Sequence, residues 1–325
     1  MRICMFGAGA VGGNLGVRLA AAGYPLSVVA RGPTLDAIRQ HGWRLIAGDQ
    51  QLTARVAASD DPAELGVHDV VIVTVKAHQL DSFAAIAPPL LGPATLVVFA
   101  QNGIPWWYSA DTAGSILDPD GVIEHTVGRA RSIGAVVYSA NSVEAPGLVR
   151  NDSVGRNRLL LGAIGFGASE RLTALQAALA TASIESPATA DLRAAVWRKL
   201  IANVTVSVPA LLAGRSSREV FDDPVLGPEG AAIAAELVQV AQADGVTIDA
   251  SRPRPAAGHS SSLLQDARAG RPLETAALLD APQAIARARG ISTPRFDQLC
   301  ERVRQRVQAN ARGTSSPAGT LSEAL

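Results

Sequence analysis

MRICMFGAGAVGGNLGVRLAAAG, residues 1–23, joins a short apolar run, Ile3–Gly7, to a helical pattern over Asn14–Ala22 through a glycine-rich turn. Gly7, Gly9 and Gly12 form G-x-G-x-x-G with a strand before them and a helix after. The chemistry calls for glycine three times: for the tight turn, for close approach of backbone to a pyrophosphate, and for helix-to-sheet packing. The helix start then offers unpaired N–H groups and a positive dipole end to the phosphates. The same segment superficially looks like a secretory leader. Interruption by Gly7, Gly9, Gly12, Gly13, Gly16, Asn14 and Arg18 argues against one.

Working outward, a second strand is expected over Leu26–Ala30, and a helix over Thr34–His41. The residue ending that second strand separates the two nicotinamide cofactors. An acidic side chain there accepts hydrogen bonds from a free ribose hydroxyl, and a basic one accommodates a 2′-phosphate. Arg31 stands there, 19 residues after Gly12, and no Asp or Glu appears before Asp36. The expected cofactor is therefore NADP. Further strands are expected over Val70–Val75, Leu96–Ala100, Gly134–Ala140 and Arg158–Ile164, nearly continuous in apolar residues as strands covered on both faces are. Two of them end in polar groups, Lys76 in VVIVTVK and Gln101-Asn102-Gly103 in LVVFAQNG. Ligands bind at such carboxyl ends, although a plain surface loop has the same look.

From Asp191 onward, alanine- and leucine-rich stretches at helical period replace the strands. The expected fold class is α/β: a Rossmann-type doubly wound sheet over 1–189, an all-helical domain over 190–312, and a loose tail over 313–325. The chain has 325 residues, with 29 basic and 29 acidic side chains. This balance gives no global field for nucleic acid or an anionic membrane. No run of 18 uninterrupted apolar residues suggests a membrane span. Cys4 and Cys300 have no metal-type spacing, so neither a zinc site nor a disulfide framework is expected, and a reducing, cytoplasmic compartment fits.

In VWRKLIANVTVS, Lys199, Asn203 and Ser207 recur every four residues and stack along one helix face beside Val196, Leu200, Val204 and Val208. Such a stripe suits a cleft wall, and spacing alone equally allows a solvated face. Downstream, Ser260, Ser261 and Ser262 precede a helical turn and Glu274 follows a Gly-Arg-Pro break. The serines alone are also what a helix cap needs. A ketone reductase requires a hydride donor, an acid for the developing alkoxide, and groups that hold the substrate. Lys199 is a candidate acid, and Glu274 a candidate for orienting substrate or tuning the lysine.

GAGAVG, Arg31, TVKAHQ, QNG, VWRKL-x-x-N and SSLLQD-x-R-x-G-R-x-x-E occur in the order seen in ketopantoate reductases, and the chain resembles that family over nearly its whole length. The resemblance implies a helical domain like those of 6-phosphogluconate-type dehydrogenases and an active site in the cleft between the domains. It implies Lys199 as proton donor, Asn203 and Ser262 as substrate contacts, Glu274 near cofactor and substrate, and Lys76 and Asn102 at cofactor-side and catalytic positions. The implied reaction is NADPH-dependent reduction of a small-molecule 2-oxo acid, with 2-dehydropantoate as first candidate. Ser207 stands where the family commonly has a second asparagine, and TAALLD, Thr275–Asp280, replaces its frequent I-D-x-x-N-G. These departures leave open a bulkier 2-oxo acid, another ketone or an imine, and a non-catalytic NADP-binding sensor is the rival from another class. Trp106-Trp107 suits either an enlarged pocket or buried packing. The alanine-rich helical domain is compatible with a homodimer and with packing within one chain.

Overall fold

The computed structural model describes residues 1–109, 112, 114–153, 155–165, 169–189, 191–256 and 260–311; the tail expected over 313–325 lies outside the described residues. The chain divides into two compact units. One comprises Met1–Trp107 and Asp118–Leu192, the other Tyr108–Leu117 and Arg193–Leu325.

The first unit is built on a seven-stranded sheet. Its strands are β1 (Ile3–Phe6), β2 (Leu26–Val29), β5 (Ala57–Ser59), β6 (His68–Val73), β7 (Leu91–Phe99), β8 (Ser132–Tyr138) and β11 (Arg158–Ala163). The order is β11-β8-β7-β6-β1-β2-β5, parallel throughout except for the antiparallel pair of β8 and β11. From β5 to β8 this is the 3-2-1-4-5-6 order of the dinucleotide-binding fold. The chain reverses direction across the sheet between β1 and β6, which creates the crevice at their carboxyl ends. Ile3, Cys4, Met5 and the run Val70–Val73 are fully buried, which explains their unbroken apolar character.

A second sheet was not legible as strands. It has four strands in the order β4-β3-β10-β9, from β3 (Trp43–Ala47), β4 (Gln50–Ala54), β9 (Asn141–Ala145) and β10 (Leu148–Asn151). It packs on helix α1 (Ala10–Ala21), and that contact explains two glycines the phosphate motif does not need. A Cβ on Gly13 would fall 2.4 Å from Val149 Cγ2, and one on Gly16 would fall 2.3 Å from Trp43 Cζ3. Buried Asn14 on the same helix donates to Asn157 Oδ1 at 3.2 Å and accepts from Arg18 Nε at 2.9 Å, so its polar groups are paired in the interior.

The second unit is helical. Its long central element runs from Leu192 to Ala213, apolar and long enough to cross a membrane, but 67% of its most apolar window is buried inside the protein, as in a core helix. Segment 108–117 belongs with this unit through a buried polar cluster. Tyr108 donates its hydroxyl proton to Asp244 Oδ2 at 2.7 Å and accepts from Trp197 Nε1 at 2.6 Å. Arg193 and Arg289 flank the same carboxylate at 2.7 and 2.9 Å. Burial, reinforced by Asp244, pushes the Tyr108 pKa up, so the phenol stays protonated as a donor.

Two stretches of the helical unit depart from α-helix. Asn203–Ser207 and Ala276–Asp280 are π-helical turns, in which Val208 N donates to Asn203 O and Ala281 N to Ala276 O, each five residues back. Both turns end two residues before a proline, Pro209 and Pro282. A proline inside a helix lacks the N–H owed to the carbonyl four residues earlier and clashes with it, and a wider turn relieves both problems.

Candidate active site

In the first unit, parallel β1, β2, β6 and β7 deliver the glycine loop, Arg31, Lys76 and Asn102 to one edge of the sheet. Gly7 leaves β1 with φ +111°, a conformation open to glycine, and its N–H donates to Val29 O at 3.1 Å, tying the loop to the end of β2. Thr74, just past β6, donates its hydroxyl to Gly7 O at 2.9 Å. A Cβ on Gly12 would lie 2.1 Å from that same carbonyl oxygen and 2.6 Å from Thr74 Oγ1. Gly12 is therefore demanded by internal packing.

Gly9 has the opposite explanation. Nothing lies within 4 Å of where its Cβ would stand, and its φ of −75° suits any residue. It caps α1 with no side-chain cap hydrogen bond. The open space over a helix start whose first N–H groups need acceptors is the observation that fits a pyrophosphate there. Gly9→Ala is accordingly expected to leave thermal stability nearly unchanged and to weaken NADPH binding at least about tenfold. Gly12→Ala is expected to lower the melting temperature as well, because backbone must move. Calorimetry and fluorescence titration of the two variants check the contrast.

Arg31 is exposed and holds the N-cap position of helix α2 (Gly32–His41) in extended conformation. Lys76 and Asn102 are both half-buried. The backbone N–H of Lys76 donates to Gln79 Oε1 at 3.1 Å, and Gln101 Nε2 donates to Val73 O at 2.9 Å and Val75 O at 3.1 Å. Gln101 thus braces the ends of β6 and β7. This bracing, like that of Thr74, has no sequence signature beyond position after a strand. Trp106 and Trp107 are buried; Trp106 meets Phe99 edge-on at 5.3 Å, and Trp107 fills the space that Gly134 leaves, which is the packing alternative.

In the second unit, Lys199, Asn203 and Ser207 are partly open, beside partly open Ala202 and exposed Arg198, in a segment otherwise deeply packed: Trp197, Leu200, Ile201, Val204, Thr205, Val206 and Val208 are buried. That pattern is a polar line set in core rather than a solvated face. The four-residue repeat does not run along one continuous α-helix as its spacing implies. The π-helical turn over Asn203–Ser207 takes one more residue per turn than an α-helix, and so re-phases Ser207 relative to Lys199. Burial lowers the Lys199 pKa below the usual lysine range, because desolvation penalises the ammonium form.

Helix α3 (Ser262–Arg268) opens with the serine run. Ser261, buried, is the cap and accepts from Leu264 N at 3.3 Å, while Ser262 is exposed in the first turn. This helix packs against the Asn203–Ser207 turn, and that turn packs against Ala276–Asp280. The Arg271–Asp266 ion pair at 2.8 Å closes the bend between Ser262 and Glu274. Glu274 is buried at 6% exposure, immediately ahead of the second π-helical turn, and its carbonyl accepts from Leu278 N at 3.3 Å. The stretches carrying Asn203, Ser207, Ser262 and Glu274 therefore converge, and π-helical turns concentrate at functional sites.

A family model described as Ketopantoate reductase PanE/ApbA matches residues 3–165, and one for the C terminal of the same family matches residues 191–307. A 2-dehydropantoate 2-reductase of Mesorhizobium japonicum is 38% identical over 324 residues, covering 94% of this chain and 97% of its own. The crystal structure of a Ralstonia solanacearum protein classed with the ketopantoate reductases superposes with a TM-score of 0.86 at 37% identity, covering 97% of this chain and 99% of that one. A D-mandelate dehydrogenase in ternary complex with NADH and anilino(oxo)acetate shares the fold, with a TM-score of 0.83 at 20% identity over 95% of this chain and 99% of its own.

Proposed function

Because the chain belongs to the ketopantoate reductase family, we propose that it reduces 2-dehydropantoate to pantoate with NADPH, and that Lys199 is the proton donor. The observation that carries the assignment of the acid is Lys199 itself: a lysine of lowered pKa on the partly open line of a buried helix. Bound NADPH supplies the hydride for the C2 carbonyl. In this reading the loop from Gly7 to Gly12 receives its pyrophosphate, with Gly9 at the open helix start and Gly7 and Gly12 giving the loop its shape, Arg31 receives its 2′-phosphate, and Lys76 and Asn102 line the cofactor side.

The chain's own groups then have distinct tasks. Asn203, Ser207 and Ser262 hydrogen-bond the 2-oxo acid and hold its carbonyl toward Lys199. As negative charge grows on the carbonyl oxygen, the Lys199 ammonium transfers a proton to it and is left as the neutral amine, to be reprotonated from solvent. A lowered pKa brings the acid closer to working pH and strengthens the driving force for that transfer. Glu274, buried beside this segment, orients the substrate or the lysine.

The protonated form of Lys199 is the active one, so kcat/KM is high at low pH and falls as pH rises through the lysine pKa. Because burial lowers that pKa, the fall begins at lower pH than for an ordinary lysine. A pH profile of kcat/KM checks this, and a flat profile across the alkaline range contradicts it. The reaction itself is tested by NADPH oxidation with purified protein and 2-dehydropantoate. Ser207 and the Thr275–Asp280 stretch favour a second reading, reduction of a branched or bulkier 2-oxo acid, which the same assay distinguishes by substrate preference.

A further inference from the structure

We propose that Arg252 is a positioning residue that holds the π-helical turn Asn203–Ser207 in shape and so sets how Asn203 and Ser207 meet the 2-oxo acid. The proposal rests on the reading that those two side chains contact substrate. Its starting point is Pro209, which has no N–H for the carbonyl of Thr205, four residues earlier. Thr205 is fully buried, so that carbonyl needs another donor. Arg252 supplies it. Its Nη2 donates to Thr205 O at 3.3 Å, its Nε to Thr205 Oγ1 at 3.1 Å, and its Nη1 to Gly227 O at 3.0 Å.

The surroundings are fitted to this contact. Thr205 Oγ1 in turn donates to Ile201 O at 2.8 Å, linking the arginine to the α-helical turn that carries Lys199. The guanidinium lies 5.0 Å over the Phe221 ring, which fixes its plane. A Cβ on Gly230 would come within 2.6 Å of Arg252 Nη2 and 2.7 Å of Thr205 O, so glycine at 230 leaves the room the pair needs. A single side chain therefore caps the carbonyl that Pro209 cannot serve, midway between Asn203 and Ser207. Without it the buried Thr205 carbonyl has no donor from Pro209 in either winding, so the turn shifts to reach another donor, and Ser207 moves relative to Lys199 and Asn203.

The test compares Arg252→Met, Arg252→Lys, Arg252→Gln and Thr205→Val by KM for 2-dehydropantoate, kcat and NADPH affinity. Arg252→Met is expected to raise KM for the 2-oxo acid about tenfold or more, the scale of a misplaced binding group, with a smaller loss in kcat. NADPH affinity is expected to stay at the wild-type value, since Arg252 lies outside the glycine-loop unit. Arg252→Lys is expected to recover part of the loss, because an ammonium can still donate to the Thr205 carbonyl. A folded Arg252→Met with unchanged KM and only a lowered melting temperature would overturn the proposal. Should Arg252→Met fail to fold, Arg252→Gln decides, because it removes the guanidinium fork that spans Thr205 and Gly227: a wild-type KM in that folded variant overturns the proposal as well, whereas Thr205→Val, which keeps the carbonyl contact, is expected to raise KM less. Asn203→Ala separates the two layers. If it raises KM while Arg252→Met does not, only the role of Arg252 fails; if it leaves KM unchanged, the substrate reading beneath fails too.

Discussion

Lys199→Ala lowers kcat/KM for 2-dehydropantoate by about 100- to 10,000-fold, the usual contribution of a positioned general acid, while NADPH binds as it does to the wild type. The two halves of that result follow from different units. The glycine loop and Arg31 are set by β1, β2 and the strands beside them, none of which the lysine supports. The loss itself follows from removing the proton source for the alkoxide. Lys199→Arg sharpens the test, because a guanidinium keeps the positive charge but does not give up its proton. If charge alone mattered, Lys199→Arg would retain activity; as a proton donor, Lys199 admits no such replacement. Both variants relieve the desolvation that lowers the lysine pKa, or exchange it for a more weakly hydrated cation, so neither is expected to unfold the helical unit.

The second large effect is on cofactor choice. Arg31→Ala raises KM for NADPH by about 10- to 100-fold and leaves KM for NADH nearly unchanged, because charge-assisted hydrogen bonds to the 2′-phosphate are lost and the nicotinamide end is untouched. Arg31 stands at the end of β2, next to β1 in the sheet, and its exposure leaves it free to meet a large anion. Steady-state kinetics with both dinucleotides measure the ratio. Equal losses with NADPH and NADH would mean that Arg31 supports the fold of the loop rather than the phosphate.

The Rossmann half was legible because its signals are local. A strand, three glycines and a helix follow one another in 23 residues, and the central stretches Val70–Val73, Leu96–Phe99 and Ser132–Val137 are buried on both faces and therefore largely apolar without alternation. The edge strand β11 instead buries Leu159 and Leu161 and leaves Arg158 and Ala163 exposed, so it is covered on one face only. The four-stranded sheet was missed for the opposite reason. Gln50–Ala54 and Asn141–Ala145 are short, largely exposed strands whose pairing partners lie distant in sequence, as with β3 and β10 about a hundred residues apart. Its clue was the pair Gly13 and Gly16, glycines in a helix interior with no role in phosphate binding, which mark a close approach.

In the helical half, spacing and family resemblance single out Lys199, Asn203, Ser207, Ser262 and Glu274 as candidates, but they do not display the shape of the backbone between them. A repeat of four suggests one α-helical face, and only Pro209 and Pro282, each lying within an apparently helical run, announce that the turn before them must widen. Arg252 could not be found from periodicity at all. It lies in a segment without regular structure, 47 residues from Thr205, and its role depends on a carbonyl that sequence does not display as orphaned. Likewise Tyr108 joins the helical unit through Asp244, 136 residues away, a pairing no local pattern encodes.

The central claim is that this chain couples NADPH to reduction of a 2-oxo acid, and the most direct measurement is NADPH oxidation by the purified wild-type protein across a panel of 2-oxo acids, other ketones and imines. The expected result is turnover with 2-dehydropantoate or a close 2-oxo acid, faster with NADPH than with NADH, and formation of the 2-hydroxy acid in amounts equal to the NADPH consumed. Tight NADPH binding without oxidation by any member of the panel would contradict the account and identify the protein as a nucleotide-binding sensor.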